Sequence, residues 1–92
     1  MYVILVYDIR TTEDYARVSG RVHKICKKFL THVQNSVFEG ELNKVQYADL
    51  KKQLKDYLRK DTDSCIVFSG NNEKWLQKEF LVEEDDKTSN FL

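Results

Sequence analysis

The chain has 92 residues, is 41% hydrophobic and 33% charged, and balances 15 basic side chains with 15 acidic ones. That mixture excludes a disordered chain, which is too polar to bury a core, and a membrane span, which needs about 20 consecutive apolar residues. Its zero net charge argues against a generally basic nucleic-acid binder, and its length allows one domain, residues 1–92, whose modest core a partner chain would extend.

The charge is unevenly placed. From Arg10 to Lys28 there are six basic and two acidic residues, and from Lys78 to Leu92 two basic and five acidic ones. Two opposed patches inside a neutral total suit a protein with two kinds of partner. Cys26 and Cys65, the only cysteines, each sit in an apolar stretch and make no CxxC or Cys/His zinc spacing. Free thiols fit a reducing cytoplasm. Met1 to Tyr7 has no basic leader and is cut short by Asp8, unlike a signal peptide.

In chain order, Met1 to Tyr7 is β-branched and aromatic with no polar face, which predicts a central strand covered on both sides. Thr11, Thr12, Glu13 and Asp14 supply helix-start chemistry, either hydroxyl serving as N-cap. Tyr15, Val18, Val22, Ile25, Cys26 and Phe29 then recur on one helical face, interrupted by Gly20, which reflects either a close backbone approach or simple tolerance. His32 to Phe38 reads as strand, with a hairpin in 32–42 whose turn lacks the Asn-Gly or Asp-Gly signal. Asn43 with Gln46 resembles a capping box and opens a second helix with Tyr47, Leu50, Leu54, Tyr57 and Leu58 on its apolar face. Asp61 to Asp63 is a turn, and Ser64 to Ser69 a further strand closed by Gly70-Asn71-Asn72. Glu73 to Lys78 reads as one helical turn, Glu79 to Val82 as a last short strand, and Glu83 to Asp86 as a solvated acidic run.

This order predicts an α/β (α+β) fold of the ferredoxin-like βαββαβ type, with a core over 1–78 and an extra C-terminal strand and tail over 79–92. Two amphipathic helices would cover one face of an antiparallel sheet. The first strand is apolar on both sides, so the other face needs a cover too, and a second copy in a C2 homodimer is the simplest.

Asp8 is the most informative single residue. A carboxylate at the end of a buried strand sits where open α/β sheets often bind ligands. One carboxylate holds Mg²⁺ with little preference, but a two-fold axis would bring a second from the partner, and the metal could then activate water against a phosphodiester. The plainer reading is that Asp8 ends the strand and caps the Ile9-Arg10-Thr11 turn. Arg10, Arg17, Arg21, Lys24 and Lys28 form a basic stripe that could hold nucleic-acid phosphates, or a solvated helix face with Glu13 and Asp14 paired to Arg17. Tyr2, Tyr7, Tyr15 and Phe38 read as core rather than base-stacking aromatics, and His23 and His32 as surface or structural residues.

Three segments together carry a family resemblance. Val3 to Ile9, a strand ending in Tyr-Asp, the run Val33-Gln-Asn-Ser-Val-Phe-Glu39, and Arg17 on a basic helix resemble the CRISPR-associated Cas2 family, the small subunit of spacer acquisition. Asn72 to Leu76 and Thr88 to Leu92 look like one of its subgroups. The chain departs from the family where Val18, Ser19 and Gly20 follow Arg17 in place of a denser Arg-Arg cluster. The resemblance implies a ferredoxin-like homodimer with C-terminal strands crossing to the partner. It implies Asp8 as the catalytic aspartate that binds Mg²⁺ at the dimer interface, with Tyr7, Arg17 and Phe38 near it. It also implies metal-dependent endonuclease activity on single-stranded RNA or double-stranded DNA. The implied partners are spacer DNA and the CRISPR integrase, in a heterohexamer of two integrase dimers and one dimer of this subunit, where the nuclease aspartate is often dispensable. A toxin-like ribonuclease or RNA-binding module outside CRISPR shares the fold class and is the alternative.

Overall fold

In a computed structural model, which describes residues 1–72, 74 and 76–82, the chain forms β1 (Tyr2–Asp8), α1 (Tyr15–Phe29), β2 (Thr31–Gln34), β3 (Val37–Glu41), α2 (Lys44–Lys55) and β4 (Ser64–Gly70). The strands make one sheet in the order β2-β3-β1-β4 with every neighbouring pair antiparallel, the expected ferredoxin-like topology. The first strand is interior, as its apolar sequence predicts. Its side chains alternate, so Val3, Leu5 and Tyr7 go under the helices and Tyr2, Ile4, Val6 and Asp8 go to the other face.

The core lies between the sheet and both helices. Val18, Val22, Ile25 and Cys26 of α1 and Leu50 and Leu54 of α2 close over Val3, Leu5 and Phe38. Leu30 packs where Gly40 leaves room: a Cβ on Gly40 would meet the Leu30 Cδ2 at 3.0 Å. The capping box at α2 is formed, with the Gln46 N–H donating to Asn43 Oδ1 at 2.7 Å and the Asn43 N–H to Gln46 Oε1 at 2.9 Å. The hairpin turn is Asn35-Ser36, closed by the Gln34–Val37 pair. Asn35 takes φ 41°, a left-handed conformation that Asn tolerates better than most residues.

Three local expectations are corrected. Neither threonine caps α1: its N-cap is Asp14, with no side-chain cap bond, because the Thr12 hydroxyl is occupied by Arg59. Tyr15, expected on the buried face, is 41% exposed at the first turn, ahead of the point where the helix meets the sheet. Residues 79–82 form no strand within this chain and lie instead over Ile4 and Val37 on the face of the sheet away from the helices. Lys74 is in a short 3₁₀ turn and 76–80 are irregular. Glu73 and Trp75 of the expected helical turn, the acidic run 83–86 and the rest of the tail to 92 lie outside the described residues.

Candidate functional site

Asp8 is the last residue of β1, paired with Ser64 of β4, and its exposed side chain emerges on the face away from the helices. Among the described residues its carboxylate has no hydrogen-bond or ion-pair partner. It lines an open hollow of about 480 Å³ with Arg10, Thr11, Lys60, Asp61, Thr62, Asp63 and Ser64. The carboxylate is therefore free to take a ligand rather than capping the turn that follows it.

That turn is held by another pair. Asp63 Oδ1 accepts the Arg10 N–H at 3.0 Å, and Asp63 Oδ2 accepts the Arg59 N–H at 3.0 Å and its Nε–H at 2.9 Å. The Arg59 Nη2 donates to Asp63 Oδ1 at 2.9 Å and to the Arg10 carbonyl at 3.0 Å, while Nη1 donates to the Thr12 hydroxyl. The Asp63 side chain is fully shielded, and hydrogen bonds from Arg59 hold its carboxyl down at about 2 against burial, which works the other way.

The helical part of the basic stripe, Arg17, Arg21, Lys24 and Lys28, lies on the opposite layer from Asp8, and Arg10 does not join it. Arg21, Lys24 and Lys28 line a groove between α1 and α2 with Gln53, Asp56 and Tyr57, and Arg17 sits in the first turn of the same helix. Arg21 stacks over the Tyr57 ring with its guanidinium carbon 5.9 Å from the centroid, and Lys28 Nζ donates to Gln53 Oε1 at 2.7 Å. Arg17 Nη2 is 3.9 Å from Asp14, an exposed pair worth at most a few tenths of a kcal/mol. Arg10 is exposed beside Asp8, its backbone tied down by the Arg59–Asp63 pair.

Tyr7 and Phe38 also lie on the helix side, their rings stacked with centroids 6.1 Å apart, so within one chain their rings and the Asp8 carboxylate are on opposite faces. His23 and His32 complete this cluster, 5.0 Å from each other and 5.2 and 4.9 Å from Phe38. The Tyr7 hydroxyl lies 3.3 Å from His23 Nδ1, and burial pushes the Tyr7 phenol up to about 12. Burial, with His32 and Lys27 nearby, pushes His23 down, so the cluster favours a neutral imidazole.

On the face that carries Asp8, no described segment covers the sheet toward β4. Ile66 and Phe68 are 52% and 56% exposed beside Ile4 and Val6. Toward β3, residues 78–82 cross the face above a hollow of about 400 Å³ lined by Ile4, Val33 and Val37, anchored by an ion pair from Lys78 to Glu39. The Tyr2 hydroxyl also donates to Glu39. Burial raises the Glu39 carboxyl, but the bonds from Lys78 and Tyr2 outweigh it and leave the group below its ordinary range. Among the described residues no group of three or more His, Cys, Asp or Glu side chains could hold a metal ion, and no helix is long and apolar enough to cross a membrane.

A family model described as CRISPR associated protein Cas2 matches residues 1–78. The chain belongs to that family. A Cas2 relative from Fusobacterium nucleatum, named CRISPR-associated endoribonuclease Cas2, is 49% identical over 92 residues, covering 100% of this chain and 87% of that protein. One from Moorella thermoacetica, named CRISPR-associated endoribonuclease Cas2 2, is 37% identical over 91 residues, covering 98% of this chain and 100% of its own length. A crystal structure of Streptococcus pyogenes Cas2 at pH 6.5 superposes with a TM-score of 0.73 at 29% identity, covering 87% of this chain and 100% of that one. The Cas2 resemblance carried by the Tyr-Asp strand end and the Val-Gln-x-Ser-Val-Phe-Glu run is thus borne out as membership.

Within the Cas2 fold, the residues that sequence reasoning missed are Arg59 and Asp63. Asp63 read as part of a turn, and Arg59 followed the apolar stripe of α2 without belonging to it. Their spacing of four would have flagged an ion pair, but only the fold shows that both reach back some fifty residues to the loop after Asp8.

Proposed function

We propose that the chain works as a homodimer in CRISPR spacer acquisition, bridging integrase dimers and binding spacer DNA, with Mg²⁺-dependent endonuclease chemistry where two Asp8 carboxylates meet. The observation that carries this reading is the place of Asp8: a free carboxylate at the rim of a sheet face whose apolar side chains Ile66 and Phe68 stand in water. Covering that face with a second copy would remove the exposed patch and bring the two strand ends together. Family membership and the endoribonuclease names of the relatives support the same reading.

The donor chemistry fits Mg²⁺ only in the paired state. One carboxylate is too few, whereas two from a dimer leave positions for water and phosphate oxygen. A bound Mg²⁺ would supply charge neutralisation at the phosphodiester and an acidified water. The chain's own residues orient the site: Ser64 pairs with Asp8 in the ladder, and Arg10 at the rim offers a cation to a phosphate. Arg17, Arg21, Lys24 and Lys28 on the helix layer would hold nucleic-acid backbone away from the metal, which suits a bridging subunit that grips DNA without cutting it. The two free cysteines fit action in the cytoplasm.

The test separates bridging from cleavage. Sedimentation is expected to show a dimer. Asp8→Asn should abolish cleavage of single-stranded RNA and duplex DNA, as a chelator should, while leaving integration by the reconstituted integrase complex intact. Charge reversal at Arg17 and Arg21 should abolish integration. A monomer at micromolar concentration, or cleavage that persists in Asp8→Asn, would overturn the reading.

A further inference from the structure

Two residues of the segment before β4, Arg59 and Asp63, tie that segment to the loop after β1. The Arg59 guanidinium spends its donors on Asp63, the Arg10 carbonyl and the Thr12 hydroxyl, and Asp63 returns an oxygen to the Arg10 N–H. Both backbone polar groups of Arg10, two residues beyond Asp8, are therefore held by one ion pair. Asp63 is also the residue before Ser64, the ladder partner of Asp8. Asp8 is fixed on its N-terminal side by the sheet and on its C-terminal side by this clamp, while its own carboxylate stays free.

An arginine used only to bind phosphate would show its fork to solvent. Here the side chain is 23% exposed and that of Asp63 is 0% exposed. The planar fork matters, because three nitrogens making four bonds, to two carboxylate oxygens, a carbonyl and a hydroxyl, demand a geometry that a lysine ammonium does not reproduce. We propose that Arg59 and Asp63 are positioning residues that hold the Asp8 carboxylate in a metal-ready orientation by clamping the Arg10–Thr12 loop to the turn before β4. The proposal rests on the reading of Asp8 as a metal ligand and adds the residues that make that carboxylate competent.

The experiment uses the 92-residue chain, at a concentration where the proposed dimer forms, and Mn²⁺ as a spectroscopic stand-in for Mg²⁺, well below the melting temperature of every variant. In Arg59→Lys, the Mn²⁺ dissociation constant should rise about tenfold or more, as losses in the outer shell of a metal site do. The Arg10 amide should exchange with solvent about tenfold faster in the metal-free protein, a readout of the loop itself. Cleavage should lose about tenfold in kcat with KM for RNA unchanged, the pattern of lost orientation rather than lost binding. Thr12→Ser, which keeps the hydroxyl, should behave as wild type. Thr12→Val, which removes one arm and leaves the ion pair, should shift Mn²⁺ affinity in the same direction by less, and it serves if Arg59→Lys does not fold. If Asp8→Asn binds Mn²⁺ like wild type, the metal reading fails. If Asp8→Asn loses Mn²⁺ while Arg59→Lys and Thr12→Val keep wild-type affinity and Arg10 exchange, the metal reading stands and the positioning role is overturned.

Discussion

On the helix-covered face of the sheet, Leu5 and Phe38 sit opposite each other in the ladder and both are fully buried. One residue along, on the other face, Ile4 opposes Phe68, which is 56% exposed. The same strands thus carry a finished core on one side and an unfinished one on the other. Apolar burial stabilises only where something covers it, at about 25 cal/mol per Å². The helix face belongs to the folding of one chain, and the proposed dimer would assign the open face to association.

The sharpest way to break this contrast is to truncate one aromatic on each side. Phe38→Ala should cost about 3–5 kcal/mol, because it deletes a buried ring and leaves a cavity under α1. Urea melts check this, and the loss should be the same at every protein concentration. A loss under about 1 kcal/mol would mean that the helix face is loosely packed.

The clamp beside Asp8 comes next in size. The Asp63 carboxyl lies at about 2 in the folded chain against an ordinary 3.8, a depressed acid. Its contribution is fully present above about pH 4 and is lost as pH falls through about 2. The amount is on the order of 2 kcal/mol, since the side chain is shielded from solvent. Acid unfolding of wild type should steepen between those values, and Asp63→Asn should flatten the profile there while lowering stability at neutral pH. An unchanged acid limb in Asp63→Asn would show the pair to be weak.

Phe68→Ser should be smaller in a dilute sample, within about 1 kcal/mol, because the ring is mostly in water already. Its effect should grow with protein concentration, as a contribution made through association must. Equilibrium sedimentation should show weaker self-association at the same time. A cost independent of concentration would place Phe68 in the core of a single chain.

The difference between the faces also marks what the residues disclosed in advance. An unbroken apolar run placed β1 in the middle of the sheet, helical spacing placed both helices, and a run closed by Gly70 placed β4. The Asn43–Gln46 cap was legible because both halves of the box are local. The turn at Asn35-Ser36 was not, since it uses a single left-handed Asn without the glycine that usually follows. Residues 79–82 read as a strand, but within one chain they pair with neither open edge of the sheet, because strand propensity without a paired partner fixes no ladder. At the site, Asp8 stood out as a charge ending an apolar run. The Arg59–Asp63 clamp did not, because its targets, Arg10 and Thr12, are distant in sequence and two of its bonds go to backbone atoms that carry no residue identity.

Gly20 offers the smallest test and the one that sharpens the picture most locally. It lies on the exposed side of α1, and a Cβ there would meet nothing within 4 Å. Within one chain, then, no close approach explains it, and Gly20→Ala should stabilise the helix by about 0.5–1 kcal/mol through lower chain entropy in the unfolded state. Thermal melts at low and high protein concentration distinguish two outcomes. A gain at both means that the helix layer stays free when copies associate, as pairing through the open sheet face requires. A gain at low concentration that turns into a loss at high concentration would mean that a second copy packs against the helix at Gly20, and the bare face around Ile66 and Phe68 would then need another occupant.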